Sequence, residues 1–387
     1  MAITRPINPL STPPTSLLYC KSSSDFSIHL KPSNLYGRQR FVASLSDKNP
    51  ISPSTFSDHK FDHQANLSKN KYEDIIQTLQ QHRNWDGRML CHYQNFWFPV
   101  GDFQGIISSQ NNFNAHETDI ILATMPKSGT TWLKALTFSV VNRHRYNPST
   151  DESPLLISNP HDLVPFLELD AYRADENPNL ESIPPPRIFA THMPYRVLPE
   201  SIPRSECKII YICRNPLDQF VSHRHFLLTN RFQPDEEPLS LEQAFEMYCD
   251  GIHPFGPFWD HMVEYYSAGQ KEPNKVLFLK YEELRKDVVS SLKKVAKFIG
   301  VPFTEEEEKK GVIEEIGKLC SMKNLKRLNV NKEGNWNGVV ANSSFFRKGE
   351  VGDWKNHLTD SMAKKVEMIL EEKLCGFGLT FESYINS

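Results

Sequence analysis

The sequence has little that would mark it as a membrane protein or a nucleic-acid-binding protein. No stretch approaches the roughly 18 uninterrupted apolar residues that a membrane-spanning helix requires, so we expect no membrane partner. The charge is nearly balanced, with 44 Lys and Arg against 47 Asp and Glu. No global basic field is therefore available for nucleic acid, and any anion-binding site must be local.

The seven cysteines lack the spacing of a zinc site or of a disulfide framework. An odd, scattered set without CxxC pairs is typical of free thiols in a reducing compartment. His223 and His225 invite a metal interpretation, but residues two apart point to different sides of a helix. We therefore expect no metal.

The first 65 residues differ in composition from the rest of the chain. Residues 1–46 hold nine serines and five Lys or Arg against a single acid, Asp25. This composition is typical of an organelle transit peptide, and the alternative is a disordered tail without a targeting signal. We expect a disordered extension over 1–65 and a globular domain over 66–387. Cleavage near 41–44 would imply the plastid stroma, whereas an intact tail would leave the protein in the cytosol.

Three short apolar runs in the globular part are each followed by a helical pattern. The predicted strands are 119–124, 208–213 and 276–280. Helices are predicted after them from the apolar spacing over 133–141, from Pro216 in a first helical turn, and from an apolar stripe over 288–299. Alternating strands and helices favour an α/β fold of one domain, with a central parallel sheet flanked by helices.

The turn after the first predicted strand has the composition of a phosphate-binding loop. Backbone N–H groups and the dipole at a helix N-terminus favour an anion, and Gly129 lets the backbone approach it closely. Lys127 adds a charge, and further donors are the hydroxyls of Ser128, Thr130 and Thr131. The loop is P-loop-like without being a Walker A loop, because its lysine precedes its glycine. The alternative is a Ser/Thr-rich helix cap with a stray lysine.

Five segments with specific motifs occur in order along the chain: TMPKSGTTW at 124–132, FATHMP at 189–194, YICRNPLD at 211–218, YEEL at 281–284 and RKGEVGDW at 347–354. Together they resemble the soluble sulfotransferase family, and especially its plant branch. The resemblance extends over 72–384. It implies an enzyme that transfers a sulfuryl group from 3′-phosphoadenosine 5′-phosphosulfate (PAPS) to a hydroxyl of a small acceptor. Flavonoids, steroids and hydroxyjasmonate-like alcohols are the acceptor classes that the plant branch implies.

The resemblance also implies roles for individual residues. His192 takes the role of general base, which a near-neutral imidazole suits, and Lys127 stabilises the leaving oxygen of the 5′-phosphate. Ser222 restrains the lysine until the acceptor binds, and Met322 stands where many relatives carry an aromatic residue, which bears on nucleotide affinity. The implied nucleotide-binding residues are Lys127, Ser128, Gly129, Thr130, Thr131, Trp132, Arg214, Ser222, Tyr281, Ser321, Met322, Arg347, Lys348 and Gly349.

The acceptor site is the part that the sequence leaves open. The aromatic residues of 96–98, Phe103 and Tyr195 fit either a flat apolar pocket or an ordinary core. Glycine and proline at 253–257 suggest a loop near the pocket mouth. Arg214 has an ordinary salt bridge to a nearby acid, such as Asp218, as its alternative role.

Two other functions compete with sulfuryl transfer. One is a protein that binds PAPS, or its product 3′-phosphoadenosine 5′-phosphate (PAP), without turnover; the presence of Lys127 and His192 counts against it. The other is a metal-dependent P-loop kinase, which the missing Walker A glycine disfavours. The sequence leaves the oligomeric state undetermined.

Overall fold

A parallel sheet of four strands lies at the centre of the part of the chain that this computed structural model describes, residues 72–148, 150, 152–230, 235 and 237–379. The expected extension over 1–65 lies outside those residues. The strands are β1 (Gln81–Arg83), β2 (Met89–Tyr93), β3 (Phe96–Pro99), β4 (Ile120–Thr124), β5 (Ile188–Thr191), β6 (Lys208–Cys213), β7 (Val276–Lys280), β8 (Asn335–Trp336) and β9 (Val340–Ala341).

Helices of very different length connect and cover these strands. Residues 72–78 are helical. The others are α1 (Phe103–Asn112), α2 (Thr130–Asn142), α3 (Pro160–Leu163), α4 (Ser201–Arg204), α5 (Pro216–Asn230), α6 (Leu241–Cys249), α7 (Phe258–Lys271), α8 (Tyr281–Lys286), α9 (Val288–Phe298), α10 (Glu305–Lys309), α11 (Val312–Leu319), α12 (Met322–Leu325), α13 (Asn329–Lys332) and α14 (Asp360–Lys373).

The central sheet has the strand order β5-β4-β6-β7, and each neighbouring pair is parallel. The chain leaves β4 on one side to form β5 and returns to the other side to form β6. In open α/β sheets such a reversal leaves a crevice at the carboxyl ends of the strands, where ligands bind. The residues that follow β4, β5 and β6 therefore meet at one edge of the sheet.

Alternate residues of the central strands face two separate hydrophobic cores. Ile121 and Ala123 of β4 belong to one core, together with residues of α6, α7 and α14. Ile120 and Leu122 belong to the other, together with residues of α2, α9 and α11. Because both faces of the sheet are covered, its strands are continuous apolar runs in the sequence. The predicted α/β fold with a parallel sheet flanked by helices is confirmed.

The predicted elements agree closely with the observed ones, but the prediction was incomplete. β6 and β7 have the predicted bounds, and β4 begins one residue later than expected, at Ile120. The sequence analysis did not predict β5, which has four residues, or the antiparallel sheet β1-β2-β3. These short strands are too brief for their periodicity to be distinguished from that of a loop.

A buried ion pair joins the amino ends of β4 and β5, at the edge opposite the crevice. Arg187 donates from Nε and Nη2 to the two carboxylate oxygens of Asp119, at 2.8 and 2.6 Å. We expect Arg187→Met to lower the free energy of unfolding by about 3–5 kcal/mol, because it leaves a carboxylate buried without its partner. Denaturant unfolding measures this change, and turnover at permissive temperature should be unaffected.

Arg204→Met is the matched control, since Arg204 pairs with Glu200 on the surface. An exposed pair contributes about 0–1 kcal/mol. If the loss for Arg187→Met were as small as the loss for this control, the buried pair would not hold the two strands together as inferred.

Candidate active site

A cavity of about 500 Å³ lies at the carboxyl ends of β4, β5 and β6. Most of the residues that the sequence predicts for the site line it: Lys127, Gly129, Thr130, Thr131, Trp132, His192, Arg214, Ser222, Tyr281, Met322, Arg347 and Gly349. The other three lie outside its wall. Ser128 is buried beneath the loop, Ser321 accepts the backbone N–H of Asn324 at 3.2 Å, and Lys348 pairs with Asp353.

The loop between β4 and α2 has a backbone that only certain residues adopt easily. Lys127 and Gly129 both have positive φ, 67° and 116°. Gly129 is the N-cap of α2, and a Cβ atom there would lie 2.8 Å from the ring of Tyr281. Glycine is thus required both by conformation and by space. The turn leaves the first N–H groups of α2 without helical partners, beside the side chains of Thr130 and Thr131.

His192 follows β5 directly, and its ring is oriented by the end of the neighbouring strand. Its Nδ1 lies 2.7 Å from the carbonyl oxygen of Thr124, the last residue of β4. A carbonyl oxygen only accepts, so Nδ1 carries the proton and Nε2 is left with a lone pair. Burial, together with Lys134, His261 and Lys127, lowers the pKa of His192 to about 3, so the ring is neutral at physiological pH.

The backbone around His192 is held from both sides by residues that the sequence analysis missed. The carboxylate of Glu168 accepts the backbone N–H of His192 at 2.6 Å and the hydroxyl of Thr191 at 2.9 Å. His261 Nε2 donates to the His192 carbonyl at 3.0 Å, and the Tyr265 hydroxyl donates to the next carbonyl at 2.7 Å. The only sequence signal for Glu168 was an acid between Leu167 and Leu169 in an apolar segment.

Lys127 is desolvated and lies among other cations. Its Nζ sits 4.1 Å from the centre of the Phe226 ring. Burial lowers the pKa of Lys127 to about 7, and Arg214 and Arg347 add to this effect. An anion bound next to Lys127 would raise its pKa and keep the lysine fully charged, because the anion favours the ammonium form.

Two arginines form a cationic wall of the cavity. Arg214 follows β6, donates to the carbonyl of Glu350 at 2.7 Å and lies 3.7 Å from Asp218, so the alternative salt bridge is also present. Arg347 donates to Asp353 at 2.5 Å. The Nε atoms of both arginines are buried and have no hydrogen-bond partner within the described residues. An anion such as a phosphate would supply the missing acceptor.

Aromatic residues lie beside both the cationic wall and the loop, since the Arg214 guanidinium is 4.7 Å from the centre of the Tyr281 ring. Trp132 meets the edge of Tyr281 with ring centres 5.6 Å apart. The Tyr281 hydroxyl donates to the carbonyl of Gly349 at 3.1 Å. A Cβ atom on Gly349 would lie 2.9 Å from Met322, so these two residues pack in direct contact. Anion-binding groups next to an aromatic surface fit a phosphorylated purine nucleotide.

The aromatic residues that the sequence left open between a pocket and a core belong to the core. Residues 96–98 and Phe103 belong to the core, because β3 is covered on both faces. Tyr195 packs on Tyr265 and does not line the cavity. The 253–257 loop does contribute, through Pro254 and Phe255. Other residues that line the cavity are Arg88, Val100, Asp102, Phe166, Leu169, Arg173, His223, Phe226, Trp336, Val339 and Phe345.

The described residues contain no cluster of three or more His, Cys, Asp or Glu side chains that could hold a metal ion. In the same part of the chain, no helix combines the length and apolar character needed to cross a membrane. The cysteines from Cys91 to Cys375 are unpaired there.

The family profile described as "Sulfotransferase domain" matches residues 117–378, more than half of the chain. Cytosolic sulfotransferase 15 of Arabidopsis thaliana is 46% identical over 314 residues, which cover 80% of this chain and 87% of the relative. Flavonol 4′-sulfotransferase of Flaveria chlorifolia is 45% identical over 314 residues, 80% of this chain and 96% of the relative. The chain belongs to the sulfotransferase family, and its co-substrate is PAPS.

Solved structures agree with this assignment. An Arabidopsis thaliana protein assigned to the steroid sulphotransferases has a TM-score of 0.66 and 37% identity, covering 86% of this chain and 100% of its own. A mouse sulfotransferase in complex with PAP has a TM-score of 0.57 and 29% identity, covering 74% of this chain and 94% of its own. The enzyme is thus a PAPS-dependent sulfotransferase that acts on a small hydroxylated acceptor.

Proposed function

We propose that this enzyme sulfates a flavonoid, steroid or hydroxyjasmonate-like alcohol, with His192 as the general base. One observation carries the assignment of the base. The hydrogen bond from Nδ1 to the Thr124 carbonyl fixes the tautomer in which Nε2 can take a proton. The lowered pKa keeps that nitrogen unprotonated at physiological pH, and it also makes the nitrogen a weaker base than the near-neutral imidazole that the sequence predicts. Nε2 takes the acceptor's hydroxyl proton as the acceptor oxygen forms its bond to sulfur.

The other cavity residues bind the nucleotide and stabilise the leaving group. Lys127 faces the oxygen of the 5′-phosphate, which gains negative charge as its bond to sulfur breaks and PAP leaves. Arg214 and Arg347, whose Nε atoms have no hydrogen-bond partner in the described part of the chain, bind the 3′-phosphate with Ser222 and the backbone at Gly349. Trp132, Tyr281 and Met322 hold the adenine. Ser128, Ser321 and Lys348 support this binding from outside the cavity wall.

The acceptor proposal is supported by the chemistry of the wall that the proposed nucleotide-binding residues leave free. The cavity of about 500 Å³ is within the range of small-molecule sites, and the nucleotide and the acceptor share it. Phe166, Phe255 and Trp336 provide apolar surface for a ring system. Arg88, Asp102 and Arg173 also line the cavity and provide polar groups. The relative named for flavonols and the structural relative assigned to steroids support these two classes.

We expect the full-length chain to transfer label from radiolabelled PAPS to one of these classes, in a screen of flavonols, steroids, hydroxyjasmonates and desulfoglucosinolates. Tight PAP binding without transfer to any class would instead support a binding protein. Transfer of phosphate from ATP would support a kinase. If the chain showed neither sulfuryl transfer nor PAP binding, the proposal as a whole would be wrong.

The proposal also includes the compartment in which the enzyme acts and the boundary of its catalytic domain. Relatives named as cytosolic support action in the cytosol, and the composition of residues 1–46 supports the plastid stroma. We take residues 66–387 as the catalytic domain, with 1–65 as a separate extension. Imaging of the full chain against a chain that begins at residue 66, each fused to a fluorescent protein, distinguishes the two compartments.

A further inference from the structure

A buried chain of three polar side chains runs behind the phosphate-binding loop. Lys134 Nζ lies 3.0 Å from His161 Nδ1, and His161 Nε2 lies 2.9 Å from the hydroxyl of Thr131. Thr131 and Lys134 are three residues apart in α2, so they share one face of that helix and His161 bridges them. Thr131 and His161 both line the cavity, and Lys134 is completely buried behind them.

The proton arrangement along this chain follows from the donors and acceptors. A charged lysine only donates, so His161 Nδ1 accepts and its Nε2 must carry the ring proton. That proton can only be donated to the Thr131 oxygen. The hydroxyl hydrogen of Thr131 is then not used by His161, and it is available to an anion in the cavity.

The surroundings hold both side chains in place. The imidazole of His161 packs against Phe345, with ring centres 4.1 Å apart, and stacks on Phe166 at 5.5 Å. The backbone N–H of His161 is capped by Asn159 at 2.9 Å. The ammonium of Lys134 lies 3.4 Å from the centre of the Phe166 ring. These contacts leave little freedom for the chain of hydrogen bonds to rearrange.

Packing alone does not explain a lysine at this position. Lys134 forms no ion pair with a carboxylate among the described residues, and its hydrogen-bond partner there is His161. Burial lowers the pKa of Lys134 to about 7, while Asp170, Glu168 and Asp162 favour its charged form. An ammonium group in such a site is costly unless its charge is used.

We propose that Lys134 and His161 are positioning residues that orient the Thr131 hydroxyl as a donor to the 5′-phosphate of the nucleotide. This inference deepens the proposed function and rests on it. Hydrogen bonds through His161 and Thr131 connect Lys134 to the position of the leaving phosphate. The effect is therefore directed at one of the two phosphate groups and not at the whole nucleotide.

Adenosine 3′-phosphate is the probe that separates the two phosphate groups, because it lacks the 5′-phosphate of PAP. We expect Lys134→Met to weaken PAP binding about tenfold, and to change adenosine 3′-phosphate binding by less than about twofold. Calorimetry on the full chain measures both affinities. In turnover, kcat should fall more than the KM for PAPS rises, since charge on the leaving phosphate grows in the transition state.

Further variants test the route of the effect. His161→Phe keeps the aromatic packing and should reproduce the loss, so it replaces Lys134→Met if that variant unfolds. His161→Gln keeps an N–H donor near the position of Nε2 and should restore part of the affinity. In a Thr131→Val background, Lys134→Met should have no further effect on PAP binding. Ser139→Ala is the matched control, a buried polar side chain of α2 that contacts Cys320 instead of the cavity.

The failures are distinguishable. If Lys134→Met and His161→Phe weakened PAP and adenosine 3′-phosphate equally, the positioning role would be wrong and these residues would serve packing only. The same conclusion would follow if the effect of Lys134→Met persisted in full in the Thr131→Val background. If the unmodified chain bound neither nucleotide, the proposed function itself would fail, and this inference with it.

Discussion

His192→Asn should lower kcat by about 10²–10⁴-fold and leave the affinity for PAP nearly unchanged. The reason lies in the two ring nitrogens. Asparagine can still donate to the Thr124 carbonyl from a position near Nδ1, but it has no basic atom at the position of Nε2. The backbone of residue 192 stays bound to Glu168, so the site keeps its shape. Steady-state kinetics and calorimetry with PAP measure the two effects separately.

His253→Asn is the matched control for this variant. His253 is also completely buried, and burial lowers its pKa to about 3, but it does not line the cavity. The control should lose some stability and keep its kcat. Wild-type turnover in His192→Asn would show that another group removes the acceptor proton. A loss of PAP affinity as large as the loss of kcat would show that the variant disturbs the whole site.

Lys127→Met should also reduce kcat, by about 10²–10³-fold, with a smaller effect on the KM for PAPS. A charge that faces the leaving oxygen interacts more strongly as the bond to sulfur breaks, so its removal is felt mainly in the transition state. Lys318→Met is the control, because Lys318 is exposed and pairs with Glu315. An equal loss in kcat and in PAP affinity would mean that Lys127 contributes only to binding.

The pH profile gives an independent measurement on Lys127. The charged form of Lys127 is the active form. Because the pKa of Lys127 is about 7, the free enzyme loses this form as the pH rises through about 7. The kcat/KM for PAPS should therefore fall on the alkaline side. Lys127→Met should show a weaker alkaline fall, because the contribution of Lys127 is lost and that of Lys134, whose pKa is also about 7, remains. Burial raises the pKa of Glu168 to about 7 as well, so this carboxyl group titrates in the same range in both variants. His192, with a pKa of about 3, should produce no acid limb above about pH 5.

Local chemistry in the sequence determined the fold class and the anion-binding loop. The loop from Pro126 to Trp132 is one contiguous segment at a strand–helix junction. Its glycine, hydroxyls and lysine can bind an anion without residues from elsewhere in the chain, so local sequence is enough to predict the site. The continuous apolar runs of β4, β6 and β7 predicted buried parallel strands, because both faces of such a sheet are covered. The sulfotransferase motifs then predicted the family before any geometry was known.

Only the tertiary structure decided which distant residues complete the site. Glu168 and His161 lie 24 and 31 residues before His192 in the chain, and no periodic pattern links them to it. The strand order β5-β4-β6 brings the three strand ends together. For the aromatic run at 96–98, composition alone left a pocket and a core both open. Its position in β3, which is buried on both faces, makes it part of the core. Residue type defines the chemistry that a side chain can perform. Packing and strand order determine which side chains become its neighbours, and these depend on contacts between residues far apart in the sequence.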